Sequence, residues 1–292
     1  MAEKKERRRF GDRKDGKLLR DLDPMHFIVP LLYPNRCDNE AYISERIELE
    51  NINAYLERRN AQETEYKYTM FHLIVAALLK TITLRPKMNR FIANKNVYQR
   101  NEVSAAFVVK KQFADNGAEA LAFVHTTPED TLPTIHEKIK KQVMSCRSDK
   151  IDSSTQSMEM FNKMPRFLSK FLIWIVTKLD KHGKCPASLI ETDPYYSSVV
   201  LSNVGSLHLK SGYHHLTNWG TNSVFCLIGE KKRTASFDEN GTATMHETVD
   251  LGLTIDERLA DGYYYAKSIR LLKRLLQEPE LLERPLNEPV EF

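Results

Sequence analysis

"LTIDERLADGYYYAKSIRLLKRLLQEPELLE", residues 253 to 283, joins a strand to a helix through a short charged connection. The strand is the end of "TATMHETVDLGLTI", where Met245, Val249, Leu251, Leu253 and Ile255 alternate to one side, broken only by Glu247. The helix opens near Asp261 and Gly262, turns Ala266, Ile269, Leu272, Leu275 and Leu276 inward, and stops before Pro279. Asp256, Glu257 and Arg258 therefore stand at a strand-to-helix junction.

Upstream of this junction the pattern is strand-rich. "YYSSVVLSNVG", "SVFCLIGE" and "KKRTASF" read as strands, and "DENG" as a hairpin turn in which Asn240 and Gly241 both take positive φ. "EVSAAFVVKKQF" and "LAFVHTT" are two more strands. "YISERIEL" is another, with Glu45 the exception on its apolar side. Helices alternate with them. "NINAYLERRN" is short. "YTMFHLIVAALLKTITLRP" is capped by Thr69, carries an apolar stripe from Phe71 to Ile82 and ends at Pro86; His72 lies beside the stripe, satisfied or facing solvent. "TPEDTLPTIHEKIKKQVMSC" takes Thr127 as its cap and Pro128 as its first residue. "DPMHFIVPLLYPNRCDNEAY", with three prolines, is extended or short-helical, and "RSDKIDSSTQS" is a polar loop. "MPRFLSKFLIWIVTKLDKHG" puts Leu168, Phe171, Leu172, Ile175, Val176 and Leu179 on one face, broadened by Phe167, Ile173 and Trp174. Helix 165–181 is expected to pack on the domain or a sister subunit, with peripheral membrane contact as the alternative, because Lys170, Lys178, Lys181 and Lys184 surround it.

Composition narrows the class. A chain of 292 residues, 41% of them hydrophobic, has enough apolar material for one mixed α/β domain. No apolar run approaches the roughly 18 residues of a membrane span; Leu73 to Leu79 stops at Lys80. The first residues lack the apolar core of a secretory signal. Four scattered cysteines without a CxxC pair read as reduced thiols in a cytoplasmic protein. Residues 1–20 hold nine Lys/Arg against four Asp/Glu, so the net charge of +4 is that of a basic arm, expected to be solvated rather than bound to nucleic acid. Glycine-rich phosphate loops, HExxH and GxSxG are absent from the sequence, which weakens the case for a kinase, a zinc peptidase or a serine hydrolase. No metal-ligand spacing is present.

Taken together, "LSNVGS" (201–206) and residues 253–283 resemble the catalytic domain of dihydrolipoamide acyltransferases of 2-oxo acid dehydrogenase complexes. That family's pattern is T-x-S-N-x-G, then D-H-R-x-x-D-G and L-L-x-x-P-x-x-L; chloramphenicol acetyltransferase shares its H-x-x-x-D-G element. The resemblance runs back through "RIELENINAYLERRN", "FHLIVAALLKTITLRPKMNRFI" and "NEVSAAFVV", covering roughly residues 25 to 283. It implies an α/β (α+β two-layer) fold, a chloramphenicol acetyltransferase-like mixed sheet flanked by helices. It also implies a homotrimer with sites between subunits, a small-molecule acyl donor and acceptor, coenzyme A or acyl-CoA as substrate, and no covalent cofactor. Residues 1–24 form the arm, 25–283 the catalytic-type domain with an apolar insertion near 155–190, and 284–292 a tail. With no lipoyl domain or Ala/Pro-rich linker, the chain reads as a stand-alone domain.

In the family the histidine takes a proton from a thiol and a serine or threonine hydroxyl holds the oxyanion. By resemblance Ser202 falls on the oxyanion-stabilising hydroxyl, with Asn203 and Gly205 after it. Asp256, Arg258, Asp261 and Gly262 match as well, and Arg36 is the expected arginine partner of Asp261. Glu257 replaces the histidine. Proton transfer from a thiol of pKa about 8.5 to a glutamate of about 4.3, instead of a histidine of about 6.5, adds about 3 kcal/mol, a factor near 10². Burial that lifts the glutamate to roughly 6 or 7 cancels much of this. A carboxylate misplaced by about 1 Å costs a comparable factor. The alternatives for Glu257 are an ion pair with Arg258 and a loan of base from His214 or His215, which as neighbours are expected to point to opposite sides. Two functions follow: an acyltransferase with an altered base, or an inactive trimeric relative acting as scaffold, regulator or acyl-CoA binder.

Overall fold

The computed structural model describes residues 9–61, 65–110, 119–147 and 163–292. Two long strands dominate it, β8 (Val224–Phe237) and β9 (Ala243–Asp256), antiparallel and joined at the turn signalled by "DENG". "SVFCLIGE" and "KKRTASF" are thus one strand rather than two, bent by an irregularity in register between Ile228 and Lys231. At the turn only Gly241 takes positive φ (81°). Asn240 does not need to, because Asp238 Oδ1 accepts from the N–H groups of Asn240 (2.9 Å) and Thr242 (2.8 Å).

Around this hairpin β2 (Glu40–Glu48), β5 (Val103–Lys110), β6 (Glu119–Thr126) and β7 (Val199–Asn203) complete a six-stranded sheet in the order β2-β9-β8-β7-β5-β6. The pairs β5–β7 and β7–β8 are parallel and the rest antiparallel, the mixed sheet expected. A smaller sheet, β1-β4-β3, is made by β1 (Gly16–Leu18), β3 (Arg90–Ala93) and β4 (Asn96–Arg100). The β3–β4 hairpin escapes a sequence reading because its turn is Asn94–Lys95, both at positive φ, where Asn-Gly is the usual signal. In the described part of the arm, β1 pairs with β4 and the Arg13 side chain is buried against Asp15 and Asp180, each at 2.8 Å, so residues 13–18 are packed rather than solvated; residues 1–8 lie outside the described residues.

The α-helices among the described residues are α1 (Pro24–Leu32), α2 (Glu50–Asn60), α3 (Met70–Leu84), α4 (Leu132–Arg147), α5 (Arg166–Lys181), α6 (Ala187–Thr192) and α7 (Gly262–Gln277). The main core joins α2, α3, α4 and α7 to one face of the large sheet. Helix α3 is buried continuously from His72 to Ile82. Among the described residues the other face carries a small cluster, Ala106, Val200, Leu216 and Phe225. Glu45, the charged residue on the apolar side of β2, meets Lys273 of α7 at 2.9 Å. In α7 Ala266 is exposed rather than inward, and Leu271 is buried instead. Helix α4 starts four residues later than its cap signal suggests, since Thr127 N–H bonds Asp130 Oδ2 (2.7 Å) in a separate turn. Most of "RSDKIDSSTQS" lies outside the described residues.

Helix α5 sits at the periphery with no buried residue. Leu168, Leu172, Ile175, Val176 and Leu179 are half-buried as expected, whereas Phe171 (55% exposed) joins Phe167, Ile173 and Trp174 on the outside. No helix among the described residues is long and apolar enough to cross a membrane.

The C-terminal segment is held from within. Lys80, fully buried on α3, donates from Nζ to the carbonyls of Leu281 (3.1 Å), Arg284 (3.2 Å) and Pro285 (2.7 Å). Burial pushes its ammonium pKa down, so the three carbonyls are what keep the charge tolerable. Lys80→Met keeps the volume but strands those acceptors; because it also removes a buried charge, the net loss is about 2 kcal/mol. Urea unfolding will show a lower midpoint with an unchanged slope.

Candidate active site

The junction quoted at the outset is a strand, a turn and a helix. Strand β9 ends at Asp256, a 3-10 turn spans Glu257–Leu259, and Asp261 caps α7 by accepting from Tyr264 N–H at 2.8 Å. That hydrogen bond holds the Asp261 carboxyl below the usual carboxylate range. The turn is anchored by Glu257 N–H on Asn39 O (3.1 Å) and Tyr265 Oη on Asp256 O (2.9 Å).

Asp256 is the hub of this region. Fully buried, it accepts from Arg258 Nε on Oδ1 at 2.8 Å and from Nη2 on Oδ2 at 2.6 Å, while Arg36 Nε lies 3.8 Å from Oδ2. Arg36 therefore faces Asp256 and not Asp261, which is exposed on the helix end. The physical reason is depth: a buried guanidinium needs a buried carboxylate, and of Asp256 and Asp261 only Asp256 is one. The sequence shows Asp256 as a motif position but not its burial, which depends on Arg36 and Arg258 being brought around it.

Arg258 is thereby spent, and Glu257 makes no ion pair with it. The Glu257 carboxylate is exposed and has no hydrogen bond or ion pair among the described residues. With Asp261 it lines a groove of about 700 Å³ walled by Ala41, Ile43, Tyr265 and Ile269.

Ser202 and Asn203, at the end of β7, line a different cavity of about 290 Å³ with Thr69, His72, Phe107 and Val143. Both are half-buried, and neither side chain has a hydrogen-bond partner among the described residues. Gly205 follows because the turn presses on β8: a Cβ there would lie 2.2 Å from Gly229 O. One chain thus presents Glu257 and Ser202 on two separate surfaces.

His214 and His215 reach neither surface. Their rings stack on each other at 4.6 Å instead of diverging, and His214 stacks on Phe225 at 4.2 Å, in the connection between β7 and β8. His72 is the residue the pattern undervalued. Its Nδ1 accepts from Thr69 N–H (3.0 Å), closing a capping box with histidine where glutamate or glutamine is usual. Burial, with His136 nearby, pushes its pKa down to about 3.

This is the α/β fold of the acyltransferase catalytic domains, a mixed sheet with helices packed on its core face and the junction turn at the end of its longest hairpin. Among solved structures the chain is similar to a Listeria monocytogenes protein described as a probable dihydrolipoamide acetyltransferase. That match has 12% identity and a TM-score of 0.60, over 90% of this chain and 95% of that one. It is similar also to Azotobacter vinelandii dihydrolipoamide acetyltransferase, in a study of a serine, a histidine and an asparagine in its catalytic mechanism (13% identity, TM-score 0.59, 90% and 94% covered). A chloramphenicol acetyltransferase matches at 11% identity and TM-score 0.58, over 89% of this chain and 99% of that one. No protein-family profile and no curated protein matches the sequence.

Proposed function

We propose that the protein is a cytoplasmic, CoA-dependent acyltransferase that works as a homotrimer, with Glu257 of one subunit facing Ser202 of the next. The observation that carries this reading is that both groups are uncommitted. At the positions where the related family keeps its base and its oxyanion donor, the carboxylate of Glu257 and the hydroxyl of Ser202 have no partner among the described residues. Residues kept for packing alone are usually satisfied, as Asp256 and Arg258 are. We read Ser202 and Glu257 as the counterparts of the serine and histidine whose role in catalysis was studied in the Azotobacter enzyme.

In the reaction Glu257 removes the proton of a thiol, and the thiolate attacks the carbonyl of a small-molecule acyl donor. Ser202 donates its O–H to the tetrahedral oxyanion, and collapse passes the acyl group on while Glu257 returns the proton to the leaving group. Docking of a neighbouring subunit over the Glu257 groove supplies the desolvation that brings a carboxylate closer to the thiol in basicity.

The test is release or consumption of free thiol with a panel of acyl-CoAs. Glu257→Gln lowers kcat/KM by about 10², while Glu257→His keeps or raises it. The exposure of Glu257 in the single chain favours a second reading, an acyl-CoA-binding trimer without turnover. Binding of acyl-CoA with no thiol release in any member of the panel, and none gained in Glu257→His, selects it.

A further inference from the structure

Behind the junction turn, on the side away from Glu257, lies a cavity of about 360 Å³ whose charged wall no step above uses. Arg36, Lys95, Lys181 and Arg258 line it, and Asp180 is the one carboxylate on its wall. Asp180 is already engaged by Arg13 at 2.8 Å.

Arg36 and Arg258 are nine-tenths or more buried, and the buried carboxylate they share is Asp256. Arg258 takes both oxygens of that carboxylate. Arg36 is left to carbonyls, donating to Thr217 O (2.6 Å), Gly220 O (3.2 Å) and Ile92 O (3.3 Å), and its Nε has no hydrogen-bond partner. Carbonyl dipoles solvate a guanidinium without neutralising it. Two buried guanidinium groups thus share the single carboxylate of Asp256, which Arg36 Nε reaches only at 3.8 Å, an arrangement that leaves room for an anion from outside the chain. Burial pushes the pKa of Arg36 down; Asp256 opposes that shift, and Arg258 adds a smaller push in the same direction as burial.

The β3–β4 hairpin turn, Asn94–Lys95, places Lys95 at the rim; its positive φ (65°) is what a two-residue hairpin turn requires.

We propose that this cavity is an anion site for a phosphoryl dianion, either free phosphate or the terminal phosphate of a monoester. Arg36 and Arg258 form its floor and Lys95 and Lys181 its rim. A dianion suits two guanidinium groups and two ammonium groups better than a monoanion of the same size does. Nothing in this assignment depends on acyl transfer.

Trp219 lines the same cavity, and the chain's other tryptophan, Trp174, is on the outside of α5. Trp174→Phe therefore leaves a single indole reporting from the site. Titrating that full-length variant with sodium phosphate and with methyl phosphate, against sodium chloride at equal ionic strength, gives a saturable change in Trp219 emission for at least one phosphate and none for chloride. The tighter of the two identifies free phosphate or a monoester as the ligand. Arg36→Met removes the floor but risks the fold, so the rim decides. Lys95→Gly, which suits the positive φ of the turn, combined with Lys181→Gln raises Kd at least tenfold. A response no larger than that to chloride overturns the proposal, and so does a Kd unchanged in the double variant.

Discussion

Replacing Asp256 with alanine destabilises the protein by about 4 kcal/mol, the loss expected when one partner of a buried ion pair is removed. The carboxylate is fully buried, forms two hydrogen bonds with the Arg258 side chain, and accepts a third from the Arg258 backbone N–H at 3.2 Å. Without it both Arg36 and Arg258 become buried cations without a counter-charge, and the turn carrying Glu257 loses its main anchor. Asp256→Asn keeps part of the hydrogen bonding and costs about half as much. Urea unfolding measures both. Arg258→Met in the Asp256→Ala background recovers part of the loss, because a cation without a partner costs more than an apolar chain of similar volume. A loss below about 1 kcal/mol for Asp256→Ala would sink the view that this carboxylate holds the junction.

The second large effect is acid sensitivity from His72. Its folded pKa of about 3 lies well below the unfolded value near 6.5, so between those limits the unfolded chain binds the extra proton. The stabilisation is complete above pH about 6.5 and is lost as pH falls; by pH 4 it has shrunk by about 3 kcal/mol. The cause is local. His72 is 3% exposed, its Nδ1 is held by Thr69 N–H, so the ring is the Nε2–H tautomer, and Nε2 lacks a hydrogen-bond partner. The rings packed around it are His136 at 4.8 Å, Tyr66, Tyr68 and Phe71, with no carboxylate among them to reward a charge. His72→Gln retains the capping box and removes the titration. Comparing unfolding free energies of the two proteins from pH 7 to pH 4 gives curves that diverge by up to about 1.4 kcal/mol per unit. Parallel curves would show that another group sets the acid limb.

How much of the site was legible follows from what each residue depends on. Ser202, Glu257 and Asp261 stand on the elements expected of them, because strand alternation, the Asp-Gly cap and the helix stripe are properties of neighbouring residues. Arg36 was matched to the wrong carboxylate. Asp256 and Asp261 are five residues apart and equally acidic, and only the path of the chain buries one while leaving the other on a helix end. His214 and His215 looked like spare bases, but their loop folds back onto the sheet and stacks both rings.

The same division holds across the molecule. Local order was written in the sequence: α3 with its Thr69 cap and Pro86 stop, the hairpin at Gly241, and the strand-to-helix junction, each set by periodicity and turn chemistry within a few residues. Tertiary structure decided the rest. Glu45 finds Lys273, Lys80 finds the carbonyls near the C-terminus, Arg36 finds Asp256, and Ser202 and Glu257 are turned to separate surfaces. These outcomes depend on burial and charge pairing between segments up to 228 residues apart, where the free energy of a buried group is set by whichever partner the fold brings within reach.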